Sequence, residues 1–85
     1  MKTLKIFYLK NCPFCKKAFA YLEELKAENP QFATIQIETI EESEEAAIAD
    51  SYDYYYVPTI YADEVKVHEA GITKDEMKSI LEAAL

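Results

Sequence analysis

Cys12-Pro13-Phe14-Cys15 stands where an extended apolar run gives way to a helical one, and that junction limits the folds open to the chain. Leu4-Lys5-Ile6-Phe7-Tyr8-Leu9 is rich in strand-forming residues and stops at Lys10-Asn11, a turn signal. Beyond the motif, Cys15, Ala18, Phe19, Leu22 and Leu25 recur at spacings of three and four, one face of a helix. Pro13 suits the first helical turn, where an amide hydrogen would lack an intrahelical partner in any case. Asn29-Pro30 ends the helix.

The rest of the chain continues the alternation. Thr34-Ile35-Gln36-Ile37-Glu38 reads as a second strand. Thr39 with Glu42 has the form of a capping box, and Glu41, Glu42, Glu44 and Glu45 would crowd the first turns of a second helix, where the helix dipole favours anions. That helix is expected to run to about Ser51 with a thin apolar face (Ile40, Ala47, Ile48) and solvent on most sides. Residues 54–61 lead into a third strand with Pro58 at its first position, a place strands allow proline. Ala62-Asp63-Glu64 is a turn, and Val65-Lys66-Val67-His68 returns as the fourth strand of a hairpin ended by Gly71. Thr73 and Glu76 form another capping box, followed by a helical stripe of Met77, Ile80, Leu81, Ala84 and Leu85. The order β-α-β-α-β-β-α predicts one α/β domain over residues 1–85, with helices on both faces of its sheet.

Charge narrows the partners. Residues 1–29 carry six Lys against three Glu, whereas residues 30–85 carry three Lys against thirteen acids, and no Arg occurs anywhere. A net charge of −7 argues against nucleic acid and anionic membranes, both of which need a cationic footprint. No apolar stretch approaches the roughly 20 residues of a membrane span. Lys5 interrupts the first apolar run and no small-residue cleavage site follows, so a signal peptide is not expected. Two cysteines three positions apart would staple little, because the loop they close is short. The pair reads as chemistry in a reducing, cytoplasmic setting.

The chemistry follows from the junction. Cys12 falls near the N-cap of the first helix, where free backbone amides and the positive end of the dipole favour a thiolate. Lys10, Lys16 and Lys17 would add positive charge, and both effects lower a thiol pKa. The thiolate is the nucleophile of disulfide exchange. Cys15 lies one turn on, on the apolar face, where burial would keep it protonated until it resolves a mixed disulfide. A structural zinc site would need about four ligands, and only His68 remains as a further soft one. A Cys12/Cys15 pair holding a soft metal, or an iron–sulfur cluster across a dimer, is an alternative that thiolate chemistry allows.

Two motifs carry a family resemblance. Cys12-Pro13-Phe14-Cys15 is similar to the dithiol active site of glutaredoxins, with Phe14 where Tyr is commonest, and Val57-Pro58-Thr59 resembles the Val/Ile-Pro-Thr segment of the thioredoxin-fold superfamily. The resemblance covers nearly the whole chain. It implies a thioredoxin-like fold with a four-stranded mixed sheet and a cis Pro58 beside the active-site cysteines. It also implies a Val57 backbone that pairs with a substrate strand, a mode in which an extended edge captures a peptide or glutathione. The implied activity is thiol–disulfide exchange on disulfide-bearing proteins or glutathione mixed disulfides, Cys12 attacking and Cys15 resolving. The protein would be a monomer with no tightly bound cofactor, using glutathione as co-substrate or taking electrons from a flavoprotein reductase. Lys10, Phe14, Val57 and Thr73 are the expected contacts to glutathione or substrate.

The departures bear on the reductant. Lys10 lies two residues before Cys12, where glutaredoxins usually carry a Lys or Arg three before. Their Gly-Gly-x-Asp-like segment is represented by residues 68–73, with one glycine missing, Thr73 in place of the acid, and Glu69 adding negative charge. These changes favour a glutaredoxin-like body served by thioredoxin reductase as the alternative reading.

Four tyrosines in residues 52–56 have two readings. Alternate members pack on the sheet and hydrogen-bond through their hydroxyls, or Tyr55 or Tyr56 flanks the site and stacks on a substrate. Phe14 reads as a site-edge contact, and His68 as an ordinary strand-end residue.

Overall fold

Alternation along the first strand puts Leu4 and Ile6 on one face and Phe7 on the other, and the computed structural model, which describes residues 1–85, builds a layer on each. The elements are β1 (Leu4–Tyr8), α1 (Pro13–Glu28), a 3₁₀ turn (Pro30–Thr34), β2 (Ile37–Glu41), α2 (Ala46–Asp50), β3 (Thr59–Ala62), β4 (Val65–Glu69) and α3 (Lys74–Ala84). The strands lie in the order β2-β1-β3-β4, with β2 parallel to β1 and the other two pairs antiparallel. This is the expected four-stranded mixed sheet. No helix is long and apolar enough to cross a membrane.

The larger core lies on the face of Leu4, Ile6, Ile60 and Ala62, where α1 supplies Ala18, Leu22 and Leu25 and α3 supplies Met77, Leu81 and Ala84. The other face gathers Phe7, Ile40 and Tyr61 under Ala49 of α2, with Tyr52, Tyr54 and Val57 packed against them. The stripe foreseen for α3 is buried at Met77, Leu81 and Ala84, while Leu85 stays exposed.

The largest differences from the sequence reading lie at β2 and α2. The second strand starts at Ile37, not Thr34, because residues 30–34 form the 3₁₀ turn. Asn29 caps that turn by accepting from the Gln31 amide at 3.1 Å, and Phe32 plugs into the core. Thr39 and Glu41 lie inside β2, paired with Ile6 and Tyr8, so no capping box forms at Thr39. A full parallel ladder satisfies more backbone groups than one cap, and it prevails over the local signal. The second helix is correspondingly short: it begins at Ala46 with no side-chain cap, and it buries Ala49 where Ala47 and Ile48 had been expected. Ile40 is buried from β2 instead.

At the hairpin, Asp63 and Glu64 take positive φ of 46° and 70°, the conformation that two-residue hairpin loops require. The Asp63 carboxylate accepts from the Thr3 amide at 3.0 Å, which ties the loop to β1. β3 begins at Thr59, just after Pro58, and β4 runs one residue past His68 to Glu69. The residue that turns the chain out of β4 in the left-handed region is Ala70, at φ 77°, rather than Gly71.

The capping box of α3 forms as read: Thr73 Oγ1 accepts from the Glu76 amide at 3.1 Å, and Glu76 Oε1 accepts from the Thr73 amide at 2.9 Å. Thr73→Ala should lower the unfolding free energy by about 1 kcal/mol in a urea titration, the usual worth of such a cap.

Candidate active site

β1 ends at Tyr8, residues 9–11 turn, and the chain enters α1 with Cys12 as its N-cap at φ −83°, ψ 118°. The turn closes with the Cys12 amide donating to Leu9 O at 3.2 Å, and α1 opens with the Lys16 amide donating to Cys12 O at 3.0 Å. Pro13 is the first helical residue, as its missing amide hydrogen favours. Both cysteines are free thiols, Cys12 half-buried and Cys15 1% exposed on the inner face of α1.

Their environments drive the two thiols apart. Burial opposes ionisation of Cys12, but the Cys15 amide, the Cys15 thiol and the Phe14 amide outweigh it and hold the thiol below its ordinary 9.0. The helix N-terminus is therefore the source of the effect. The lysines named from the sequence are not: Lys10 Nζ is ion-paired with Glu44, and Lys16 and Lys17 stand exposed on α1. Burial pushes Cys15 up to about 12, against the pull of the Leu9 amide, and charge on Cys12 and Glu42 adds to the rise.

Beside Cys12 lies a cavity of about 510 Å³ whose walls include Lys10, Asn11, Glu41 and Ser43. Glu41, only 5% exposed, holds this wall together. Its carboxylate accepts from the Lys10 amide at 3.2 Å and from both the amide and the hydroxyl of Ser43 at 2.6 Å. The Ser43 hydroxyl leads the interactions that keep the Glu41 carboxyl below its ordinary value. Glu41 thereby fastens the turn that carries Cys12 to the end of β2. Sequence reasoning placed it among helix-start glutamates and missed this role; the available signal was Ser43 two residues on, a hydroxyl and amide placed to fold back onto the carboxylate.

The register Phe7↔Thr59 sets Pro58 at the end of the sheet from which the cysteine turn leaves. The Val57–Pro58 peptide bond is cis, as the resemblance implied, and Pro58 and Thr59 are buried. Neither the N–H nor the C=O of Val57 makes an intramolecular hydrogen bond, which leaves this backbone edge open. Just upstream, Glu69 accepts from the Tyr55 and Tyr56 amides at 2.6 and 3.0 Å and from Lys66 Nζ at 2.8 Å. Lys66 first, then those two amides, depress the Glu69 carboxyl to about 2. The negative charge read from the sequence is thus engaged in fixing the loop before Val57.

Three of the four expected contact residues divide between two flanks. Lys10 stands on the β2 side, paired with Glu44. Phe14, 58% exposed, lies toward the β4 side, and a Cβ on Gly71 would stand 3.3 Å from its ring. Thr73 is on the same side, its hydroxyl and amide both engaged in the capping box. Val57 lies between the flanks. His68 Nε2 meets Gly71 O at 2.8 Å, a strand-end contact. Of the tyrosines, Tyr52 and Tyr54 pack on Phe7 with ring centroids 4.8 and 4.9 Å away, and their hydroxyls donate to Glu64 and Glu42. Tyr55 and Tyr56 are exposed.

This sheet order, with a Cys-x-x-Cys opening the first helix and a cis proline opening β3, defines a thioredoxin-fold protein with a dithiol site. A thioredoxin variant from Halobacterium salinarum NRC-1 is similar at 25% identity, covering 98% of this chain and 74% of its own, with a TM-score of 0.69. Oxidised thioredoxin from Plasmodium falciparum gives 0.74 at 17% identity over 99% of this chain and 82% of its own. A thioredoxin-like protein from Clostridium perfringens gives 0.73 at 23% identity over 99% and 71%. No curated protein matches by sequence. The glutaredoxin family model matches residues 4–67, about three quarters of the chain, and the chain belongs to that family. Fold and family point to thiol–disulfide oxidoreductase activity.

Glu69 titrates at about 2 in the fold against an ordinary 4.5. Its stabilising contribution is complete above pH 4.5 and is lost as pH falls through about 2. The Tyr55 and Tyr56 amide resonances should therefore move together in acid with a midpoint well below 4.5, and in Glu69→Gln this transition should vanish.

Proposed function

We propose that the protein reduces disulfides by dithiol exchange, with Cys12 as nucleophile and Cys15 as resolving thiol. The observation that carries this reading is the split between a partly exposed Cys12 whose thiol is lowered and a buried Cys15 pushed up to about 12. The Cys12 thiolate attacks one sulfur of the substrate disulfide. That S–S bond breaks, one substrate thiolate leaves and takes a proton, and a mixed disulfide with Cys12 remains. Cys15 then gives up its proton and attacks Cys12 Sγ, expelling the second substrate thiolate. Two electrons have passed to the substrate, and the protein holds a Cys12–Cys15 disulfide. The unpaired Val57 backbone supports a substrate chain laid against it in extended form.

The oxidised protein returns to the dithiol through two glutathione molecules, the first forming a mixed disulfide with Cys12 and the second releasing glutathione disulfide. Glutathione is the co-substrate that family membership favours. A specific observation supports a second reading, electron supply by a flavoprotein reductase. Lys10 and Thr73, two of the residues expected at glutathione, are already partnered by Glu44 and Glu76, and the similar solved structures include several thioredoxins.

Cys12→Ser should reduce turnover on a glutathione mixed disulfide to background. Cys15→Ser should keep glutathione-dependent activity on it while losing activity on protein disulfides that need an intramolecular resolving step. Equal residual activity of the two variants would contradict the assignment of roles. Thiol labelling of the oxidised wild type, after exposure to glutathione or to NADPH with thioredoxin reductase, separates the two electron sources.

A further inference from the structure

Gly71 is the one glycine in the chain, and its backbone does not require one. It takes no positive φ; the left-handed position in this turn is Ala70, at φ 77°. Glycine loses more freedom on folding than any other residue, so at residue 71 something other than the backbone excludes a side chain. The surroundings identify it. A Cβ placed on Gly71 would have three Phe14 ring carbons as its nearest contacts, Cδ1 at 3.3 Å, Cε1 at 3.7 Å and Cγ at 3.9 Å. The first of these is closer than an optimal carbon–carbon contact. Both partners are anchored. Gly71 O meets His68 Nε2 at 2.8 Å, Ile72 is buried in the larger core, and Thr73 caps α3. Phe14 stands in the first turn of α1, between Pro13 and the buried Cys15. The contact thus joins the start of α1 to the turn before α3.

We propose that Gly71 is a positioning residue for substrate selection. Lacking a Cβ, it seats the Phe14 ring near Cys12, and the seated ring receives an apolar side chain next to the cysteine of a disulfide-bearing protein. The proposal rests on the dithiol-exchange reading, which supplies the partner. The ring supplies the preference. Phe14 is 58% exposed, whereas Cys15, Ala18, Leu22 and Leu25 of the same helix are buried. A single exposed apolar ring is common on a protein surface, but here the neighbouring turn omits a side chain where the ring lies. Phe14 is also fixed relative to the attacking sulfur, because its amide hydrogen-bonds Cys12.

The two flanks of Cys12 differ in kind. On the β2 side Lys10 is paired with Glu44, and Asn11, Glu41 and Ser43 are among the walls of the cavity. On the β4 side stands the Phe14 ring on its glycine. A substrate joined to Cys12 therefore has polar groups on one side and an aromatic surface on the other. An apolar side chain laid on that surface leaves water and covers the ring. A side chain at residue 71 would push the ring off its seat. Because the ring is exposed, it yields without disturbing the core, so recognition and stability separate.

The test is a double-substitution cycle read on two substrates. The reduced protein is mixed with disulfide peptides carrying Leu or Gln beside the cysteine, and its oxidation is followed at increasing peptide concentration. Wild type should reach half-saturation at about fivefold lower concentration of the Leu peptide, the scale of one aromatic contact. Gly71→Val should remove most of that preference and Gly71→Ala part of it, with the urea midpoint held. In a Phe14→Ala background, Gly71→Val should change the preference no further. Ala70→Gly, which alters the same turn without adding a side chain against the ring, should keep the preference. In a binding arm, the Cys12→Ser/Cys15→Ser variant is titrated with the S-methylated peptides, and the Leu form should shift the Phe14 and Gly71 amides at lower concentration. Equal half-saturation in wild type, a preference that survives Gly71→Val, the same loss with Phe14 absent, or loss of preference in Ala70→Gly overturns the proposal. Absent oxidation by both peptides, with the binding preference intact, overturns the redox reading instead.

Discussion

The amides at the start of α1 have no partners inside the helix, and the fold aims them at one sulfur. β1 ends at Tyr8, residues 9–11 turn, and Pro13 begins the helix, so the Phe14 and Cys15 amides face Cys12. A negative charge there compensates both orphan donors and the helix dipole. The same helix buries the second sulfur one turn later against the core. One element thus gives two identical side chains opposite protonation tendencies. Strand order, crossover and hairpin all serve to hold that helix start at the same end of the sheet as Val57 and Pro58.

Carboxylates secure the loops around it. Glu41 ties the cysteine turn to β2 on one flank, and Glu69 ties the tyrosine loop to β4 on the other. Both accept backbone amide hydrogens, and both carboxyls lie below their ordinary values, Glu41 chiefly through the Ser43 hydroxyl and Glu69 chiefly through Lys66, with the amides adding to each. Part of the acidity that looked like surface charge in the sequence is therefore structural. Lys10 and Thr73 are likewise drawn into contacts within the chain, so a ligand reaching for them must compete with Glu44 and Glu76.

Much of this was legible in the residues. The helical spacing after Cys12, the proline stop at residue 30, the residue 65–68 return strand and the Thr73–Glu76 box all rest on short-range rules, and each formed. The resemblance carried by Cys12-Pro13-Phe14-Cys15 and Val57-Pro58-Thr59 anticipated the fold, the family and the cis bond. The errors collect around β2 and α2. Thr39 and Glu42 have the spacing of a cap, yet β1 offers a parallel edge and residues 37–41 take it. Phe32, left unassigned between the first helix and the second strand, is core, because a 3₁₀ turn swings it inward. The Glu41 contact with the Lys10 amide and the Glu69 contacts with the Tyr55 and Tyr56 amides span 31, 14 and 13 residues in sequence, distances at which residue patterns carry no signal.

The split between the two thiols is the centre of this account, and the pH dependence of alkylation, mapped to each cysteine by mass spectrometry in the reduced wild type, tests it most directly. The account predicts that Cys12 labels with a midpoint below 9.0 while Cys15 stays protected until pH approaches about 12. Two cysteines that titrate together near 9.0, or a Cys15 that labels first, would contradict it.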